Sequence, residues 1–317
     1  LPSLAAMAAD VPEPYAMPLL INPFAELDLI RQPEQANDPL QAFDAADEYL
    51  LEHLAEQALP SSTRVLVLND SFGALAISLS RHVQVVSSGD SYLARLGLEK
   101  NLPRNGQPFD SVTFVPASAT WQGPFERVLV RVPKTLALLE EQLIRLQGHL
   151  APGAQVVAGA MIKHLPRAAG DLLEKYIGPV QASLGRKKAR LLIATAEHKA
   201  PFTSPYPTHY RLDEPALNLL NHANVFCREG LDIGTRAFLP YLPKNLGQRG
   251  SQTSAAVTVC WPSSVRWLTR RHSTHWSTSP IWRFSRPART GKRRWANVTW
   301  KYAPTMAWPA NPSARWT

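Results

Sequence analysis

Two carboxylates and one glycine mark where this chain can hold a nucleotide-like ligand. Leu68-Asn69-Asp70-Ser71-Phe72-Gly73-Ala74 follows an apolar run, and Asp90 stands 20 residues after Asp70. A loop that cradles a dinucleotide or S-adenosylmethionine (SAM) needs several glycines, so that backbone can approach the ligand, and a carboxylate further on for the ribose hydroxyls. Asp90 meets the second need. Gly73 alone, beside bulky Phe72, meets the first poorly. Two readings stay open: a weak cofactor site at Asp70, Gly73 and Asp90, or a scaffold of this type with its pocket closed.

Two further segments carry candidate chemistry. Arg131-Val132-Pro133-Lys134-Thr135 ends another apolar run. In methyltransferases that act on amino groups, this place carries Asn or Asp, then Pro-Pro and an aromatic residue. Their polar atoms hold the hydrogens of the target nitrogen. Val132 and Lys134 cannot take those roles, and Pro133-Lys134 reads better as a helix start. The basic run Arg186, Lys187, Lys188 and Arg190 precedes a strand; it either contacts RNA phosphates or is a solvated turn. Two cysteines, Cys227 and Cys260, exclude a disulfide scaffold and a four-cysteine zinc site, and no metal is expected.

The elements that position these residues follow from hydrophobic periodicity. Pro39–Leu59 carries Phe43, Ala46, Leu50, Leu51 and Leu54 on one helical face. Strands are predicted at Arg64–Asn69, Val83–Val86, Val112–Val115, Arg127–Val132, Ala154–Met161 and Arg190–Ala194. Helices are predicted at Phe72–His82, Ser91–Asn101, Thr135–His149 and Ala168–Ile177. Strands alternating with helices at this pace predict an α/β fold with a mostly parallel, doubly wound sheet. Its ligand would then lie at the carboxyl ends of the strands, over the turn containing Asp70 and Gly73.

Charge divides the chain. All 25 acidic residues and 23 of the 34 basic ones lie in 1–250, whereas 251–317 holds 11 Lys/Arg, 18 Ser/Thr, eight of the nine tryptophans and no acid. The overall charge of +9 suggests a nucleic-acid binder, yet the excess is entirely in the last 67 residues. No run of 18 apolar residues exists, so no membrane-spanning helix is expected. Leu1 to Ala16 has neither a basic stretch nor an apolar run, so it is not read as a signal peptide. Met17 is read as the natural start, with residues 1–17 set apart as a leader; the alternative is a frayed native terminus.

Six segments together resemble a known family. Phe43–Leu51, Leu68–Leu75, Gly89–Tyr92, Val132–Glu140, Asn221–Phe226 and Gly230–Arg236 resemble the ribosomal RNA large subunit methyltransferase G family, over about 18–247. The resemblance implies two tandem domains of the Rossmann-like class I methyltransferase fold. The first, 18–220, is degenerate and without SAM; the second, beginning in 221–250, is catalytic. It implies methyl transfer from SAM to the exocyclic N2 of a guanine in 23S rRNA, by a cytoplasmic and monomeric protein. It also makes Asp232 and Gly234 weak candidates for cofactor contact.

The resemblance stops where the glycine-rich SAM loop should follow Asp232-Ile233-Gly234-Thr235. After Gly250 comes Ser251-Gln252-Thr253-Ser254-Ala255 instead. A shifted reading frame accounts for this. With permitted codon choices, Gln252 to Ser264 decodes in the neighbouring frame to a loop with an acidic residue and three glycines. Thr274 to Ser279 likewise decodes to the acidic end of a second strand. Residues 251–317 are therefore expected to be an out-of-frame, disordered tail and the chain to lack activity, with no SAM bound and no catalytic residue of its own. The alternative is a non-enzymatic RNA-binding module on the degenerate domain. A tail surface of Trp267, Arg270, Arg271, Trp276, Trp282 and Arg283 could stack bases and contact phosphates, but its spacing follows neither helix nor strand period. Cys260 has no in-frame partner that would make it a reactive thiol.

Overall fold

The computed structural model describes residues 18–35, 38–213, 217–238 and 241. The expected leader (1–17) and the expected disordered tail (251–317), with its tryptophans and arginines, lie outside the described residues. Two compact units are present, divided between Ser204 and Pro205.

The first unit opens with a two-stranded antiparallel ribbon, β1 (Leu20–Ile21) and β2 (Glu26–Leu27), and helix α1 (Ala45–Ala55). Then follow β3 (Arg64–Leu68), α2 (Ala74–Leu79), β4 (Gln84–Gly89), α3 (Tyr92–Arg104), β5 (Thr113–Pro116), β6 (Phe125–Arg131), α4 (Leu136–Leu146), β7 (Leu150–Met161), α5 (Arg167–Tyr176), β8 (Val180–Ala182) and β9 (Ala189–Thr195). The seven main strands form one sheet in the order β5-β4-β3-β6-β7-β9-β8. Pairing is parallel from β5 to β7 and antiparallel where β9 meets β7 and β8. The doubly wound expectation holds. The hairpin of β8 and β9 was not legible, because the three residues Val180–Ala182, the first half-buried and the other two exposed, carry no periodic signal.

Both faces of the sheet are covered, which is why its strands read as continuous apolar runs rather than alternating ones. Val65 and Val67 point to the face with Leu50, Leu51 and Leu54 of α1, Leu75 and Ile77 of α2 and Leu98 of α3. Leu66 and Leu68 point to the other, against Leu139, Leu143 and Leu146 of α4 and Leu173 and Tyr176 of α5. Each fully buried leucine side chain contributes roughly 1.5–3 kcal/mol of transfer free energy. Trp121, the one tryptophan outside the tail, is 1% exposed in the second face and donates its Nε1 hydrogen to Ser88 Oγ at 2.9 Å.

Helix α2 is shorter than its periodicity suggests. Gly73 takes φ 91°, a left-handed conformation no helix interior tolerates, so the helix starts after it. In the second unit, β10 (Thr208–Leu212) and β11 (Leu217–Asn221) pair antiparallel, and a short helix α6 covers Ile233–Phe238. Arg228 secures this unit from its own loop. Its backbone carbonyl accepts from Thr208 Oγ1 and Asn221 Nδ2, and its guanidinium lies 4.9 Å from the Tyr206 ring centre.

Candidate functional site

The carboxyl ends of β3 and β6 bring together the loop singled out in the sequence and a charge cluster that was not. Asp70 is buried, and its carboxylate turns back into its own loop. Oδ1 accepts from the Gly73 amide at 3.2 Å; Oδ2 accepts from the Leu75 and Ala76 amides at 3.1 and 2.9 Å. These are the orphan amides at the start of α2. Burial pushes the Asp70 carboxyl up from its ordinary value, against those three hydrogen bonds. Phe72 packs against α3, where a Cβ on Gly97 would come within 2.8 Å of its ring, and Asn101 Nδ2 holds its carbonyl at 2.9 Å. Asn69, at φ 63°, exchanges two hydrogen bonds with Gln142 of α4 at 2.9 and 2.8 Å and donates to the Arg131 carbonyl at 3.0 Å. The loop is thus held by its own side chains, with the polar groups of Asn69 and Asp70 bonded to protein. These residues do not fit SAM. Asp90 is exposed at the end of β4.

Beside this loop sits Arg131, the last residue of β6. Its guanidinium makes a two-pronged bond to Asp44, each arm 2.8 Å, and lies 3.3 Å from Asp47 Oδ1. Asp44 and Asp47 are also the capping box of α1. Asp44 Oδ1 accepts from the Ala46 amide, and Asp47 Oδ2 accepts from the Asp44 amide at 2.9 Å. Burial pushes Asp44 up, but the bonds and charge of Arg131 win and hold it below the ordinary carboxylate range. Asp47 is more deeply buried, and desolvation, helped by Asp44 and Asp70, drives it up to about 7 despite Arg131. Burial works against the charge of Arg131 too, yet the three surrounding carboxylates hold its pKa above the ordinary value. A cavity of about 510 Å³ opens over this cluster, lined among others by Arg31, Phe43 and Phe72.

Asp47 makes the stability of this unit depend on pH. The unfolded chain releases its proton near pH 4 and the folded chain near pH 7. Between those values the folded state holds the extra proton, so this group's contribution falls as pH rises and levels off above 7. Asp47→Asn is expected to flatten that slope. The variant gains on wild type by up to about 1.4 kcal/mol per pH unit between pH 4 and 7. Urea midpoints at pH 5, 6, 7 and 8 test this; parallel curves for the two proteins would refute it.

The basic candidates occupy the β8–β9 turn. Arg186 and Ala189 exchange backbone hydrogen bonds at 2.9 and 2.7 Å, leaving Lys187 and Lys188 as a two-residue turn with φ 47° and 63°. Arg186 pairs with Glu52 at 2.7 Å and Lys187 with Glu48 at 2.9 Å, both on α1. Lys188 and Arg190 are exposed. Periodicity did not bring Lys163, His164 and Arg167 to this place, but the pairing of β7 with β9 does, setting Met161 opposite Ala189. In the second unit, Asp232 caps α6. Its carboxylate accepts from the Thr235 amide and hydroxyl, which hold its pKa below the ordinary value, and Gly234 is exposed in the first turn. Among the described residues no group of three or more His, Cys, Asp or Glu is placed to hold a metal, and no helix is long and apolar enough to cross a membrane.

Half of the Arg131 cluster has a local signal in the sequence: an Asp-x-x-Asp pair immediately before the apolar stripe of α1 is a capping-box pattern. Its long-range partner Arg131, 87 residues from Asp44, has none.

Residues 17–198 match the family model described as RLMG N-terminal domain. Among curated relatives, the Ribosomal RNA large subunit methyltransferase G of Pseudomonas fluorescens (strain Pf0-1) is 81% identical over 234 residues, 74% of this chain and 63% of that protein. That of Pseudomonas putida (strain GB-1) is 79% identical over 231 residues, 73% of this chain and 62% of the relative. The chain thus spans less than two thirds of the length of these relatives. A solved structure of the T. thermophilus 16S rRNA N2 methyltransferase RsmC, in complex with AdoMet and guanosine, superposes with a TM-score of 0.51. It is 15% identical, and the match covers 71% of this chain and 57% of that one. This likeness shows the fold, which is the Rossmann-like class I methyltransferase fold expected from the sequence.

Proposed function

The chain belongs to the RLMG N-terminal domain family, and from that premise we propose that it is the RNA-facing part of a SAM-dependent methyltransferase acting on the N2 of a guanine in 23S rRNA. Methyl transfer itself is assigned to a second domain, whose start lies in 221–250. The observation that carries this reading is the closed loop of the first unit. Asp70, Asn69 and Phe72 spend their contacts within the protein, which supports a first unit that keeps the fold without holding a cofactor. The relatives' names support the RNA substrate, and the RsmC complex supports SAM as the methyl donor of such enzymes. Asp232 and Gly234 are the residues assigned to the second domain's cofactor site. Residues 251–317, with no acid and no glycine loop, are proposed to be read out of frame, which leaves this chain without catalytic activity.

The expected result is that the purified chain does not bind SAM. Titration calorimetry should show no saturable heat, whereas a micromolar dissociation constant would overturn the closed-loop reading. The nucleotide sequence around the codon for Gly250 tests the frame: an uninterrupted frame with ordinary codon bias through 251–317 refutes the shift. The second reading, an RNA-binding module without an enzymatic role, is favoured by the exposed cations at the β8–β9 turn.

A further inference from the structure

We propose that Lys163, Arg167, Lys188 and Arg190 form an RNA phosphate-binding surface at the junction of two turns on the carboxyl edge of the sheet, with Arg186 and Lys187 fixing its shape rather than binding. This deepens the RNA reading above and rests on it.

Three observations converge. The first is charge: residues 161–170 and 183–190 contain Lys163, Arg167, Arg186, Lys187, Lys188 and Arg190 and no Asp or Glu. The fold joins these two segments. Ala160 pairs with Arg190 across β7 and β9, and the Ile162 amide donates to the Lys188 carbonyl at 2.8 Å.

The second is how the cations are partnered. Elsewhere on the unit Arg31, Arg95, Arg104 and Arg131 each face a carboxylate. Arg186 and Lys187 do so as well, on Glu52 and Glu48. Arg186 also lies 6.0 Å from the Tyr49 ring centre, and the Tyr49 hydroxyl donates to the Leu184 carbonyl at 3.2 Å. These contacts pin the hairpin to α1. Lys163, Arg167, Lys188 and Arg190 are exposed, with no ion-pair partner among the described residues. Exposed cations without an ion-pair partner suit a phosphodiester chain, whose charge recurs at every nucleotide.

The third is strain. A two-residue turn with both φ values positive favours Asn-Gly, and ordinary side chains held there are strained. The ion pair to Glu48 gives Lys187 a role in the fold. Lys188 has no such ion pair, and its side chain stands at the tip, open to a ligand.

The test uses the full chain in filter binding at several salt concentrations, with a 23S rRNA fragment and an unrelated RNA of equal length. Combining Lys163→Gln, Arg167→Gln, Lys188→Gln and Arg190→Gln should make log K against log salt shallower, by about 0.7 for each single-strand phosphate that is no longer neutralised. Arg81→Gln with Lys100→Gln, at the amino edge, serves as the control and should leave the rRNA affinity unchanged. Lys188→Gly guards against misfolding: it relieves the φ strain, so the variant should be at least as stable as wild type, yet its salt slope should be shallower by about 0.7. An unchanged slope in the fourfold variant, with wild type still binding, overturns the surface. No RNA binding by wild type overturns the RNA reading itself.

Discussion

Arg131→Ala is expected to cost the first unit about 3–5 kcal/mol, the range for breaking a buried ion pair from one side. Asp44 and Asp47 lose their shared partner, and the capping box that starts α1 loses the charge holding it to β6. Since domains are stable by only about 5–15 kcal/mol, this removes a large share of the unit's stability. The loss should also depend on pH. Asp47 titrates near 7, so at pH 5 it is already neutral and less in need of Arg131 than at pH 8. The damage is therefore greater at pH 8. Asp44→Asn with Asp47→Asn in the Arg131→Ala background should restore part of the stability, because no uncompensated charge remains at those two sites. Urea unfolding followed by circular dichroism measures all of this. A loss under about 1 kcal/mol at pH 8, the value of an ordinary exposed pair, would mean that water, rather than Arg131, satisfies the two carboxylates.

Truncation after Gly250 should produce the largest change in RNA binding. The tail carries 11 Lys/Arg without a single acid. If about 6–10 of those sites meet single-strand phosphates, counterion release makes the full chain lose about 10²–10⁴ in affinity between 50 and 200 mM salt. The truncated chain should lose far less, because only the surface at Lys163, Arg167, Lys188 and Arg190 remains. Its binding at the lower salt should accordingly be much weaker. Tryptophan stacking can add a part that is insensitive to both salt and sequence. Equal binding of a 23S rRNA fragment by the truncated and full chains would place recognition within residues 1–250 and refute the tail's role.

The sequence by itself determined the architecture of the first unit. Apolar runs at Val65–Leu68, Val128–Val130 and Val156–Ala158, separated by stripes such as Leu139, Leu143 and Leu146, leave little choice but a sheet covered on both faces. Burial of those residues is a local property of each segment, so periodicity reports it. The poverty of glycine at Asp70–Gly73 was equally legible, because backbone approach depends on residue type alone. What tertiary structure decided was pairing at long range. Asp44 and Arg131 are 87 residues apart, and nothing in either segment names the other. The direction of the Asp70 carboxylate, into its own amides rather than toward a ligand, depended on where α2 begins, which φ 91° at Gly73 fixed. The basic run at Arg186–Arg190 was visible as charge, but its division into pinned and free cations was not. That division follows from α1 lying against the hairpin with Glu48 and Glu52 on the facing side, and from β7 bringing Lys163 to the same edge. Charge is a property of a residue, whereas compensation of charge is a property of its neighbours, and only the fold supplies those.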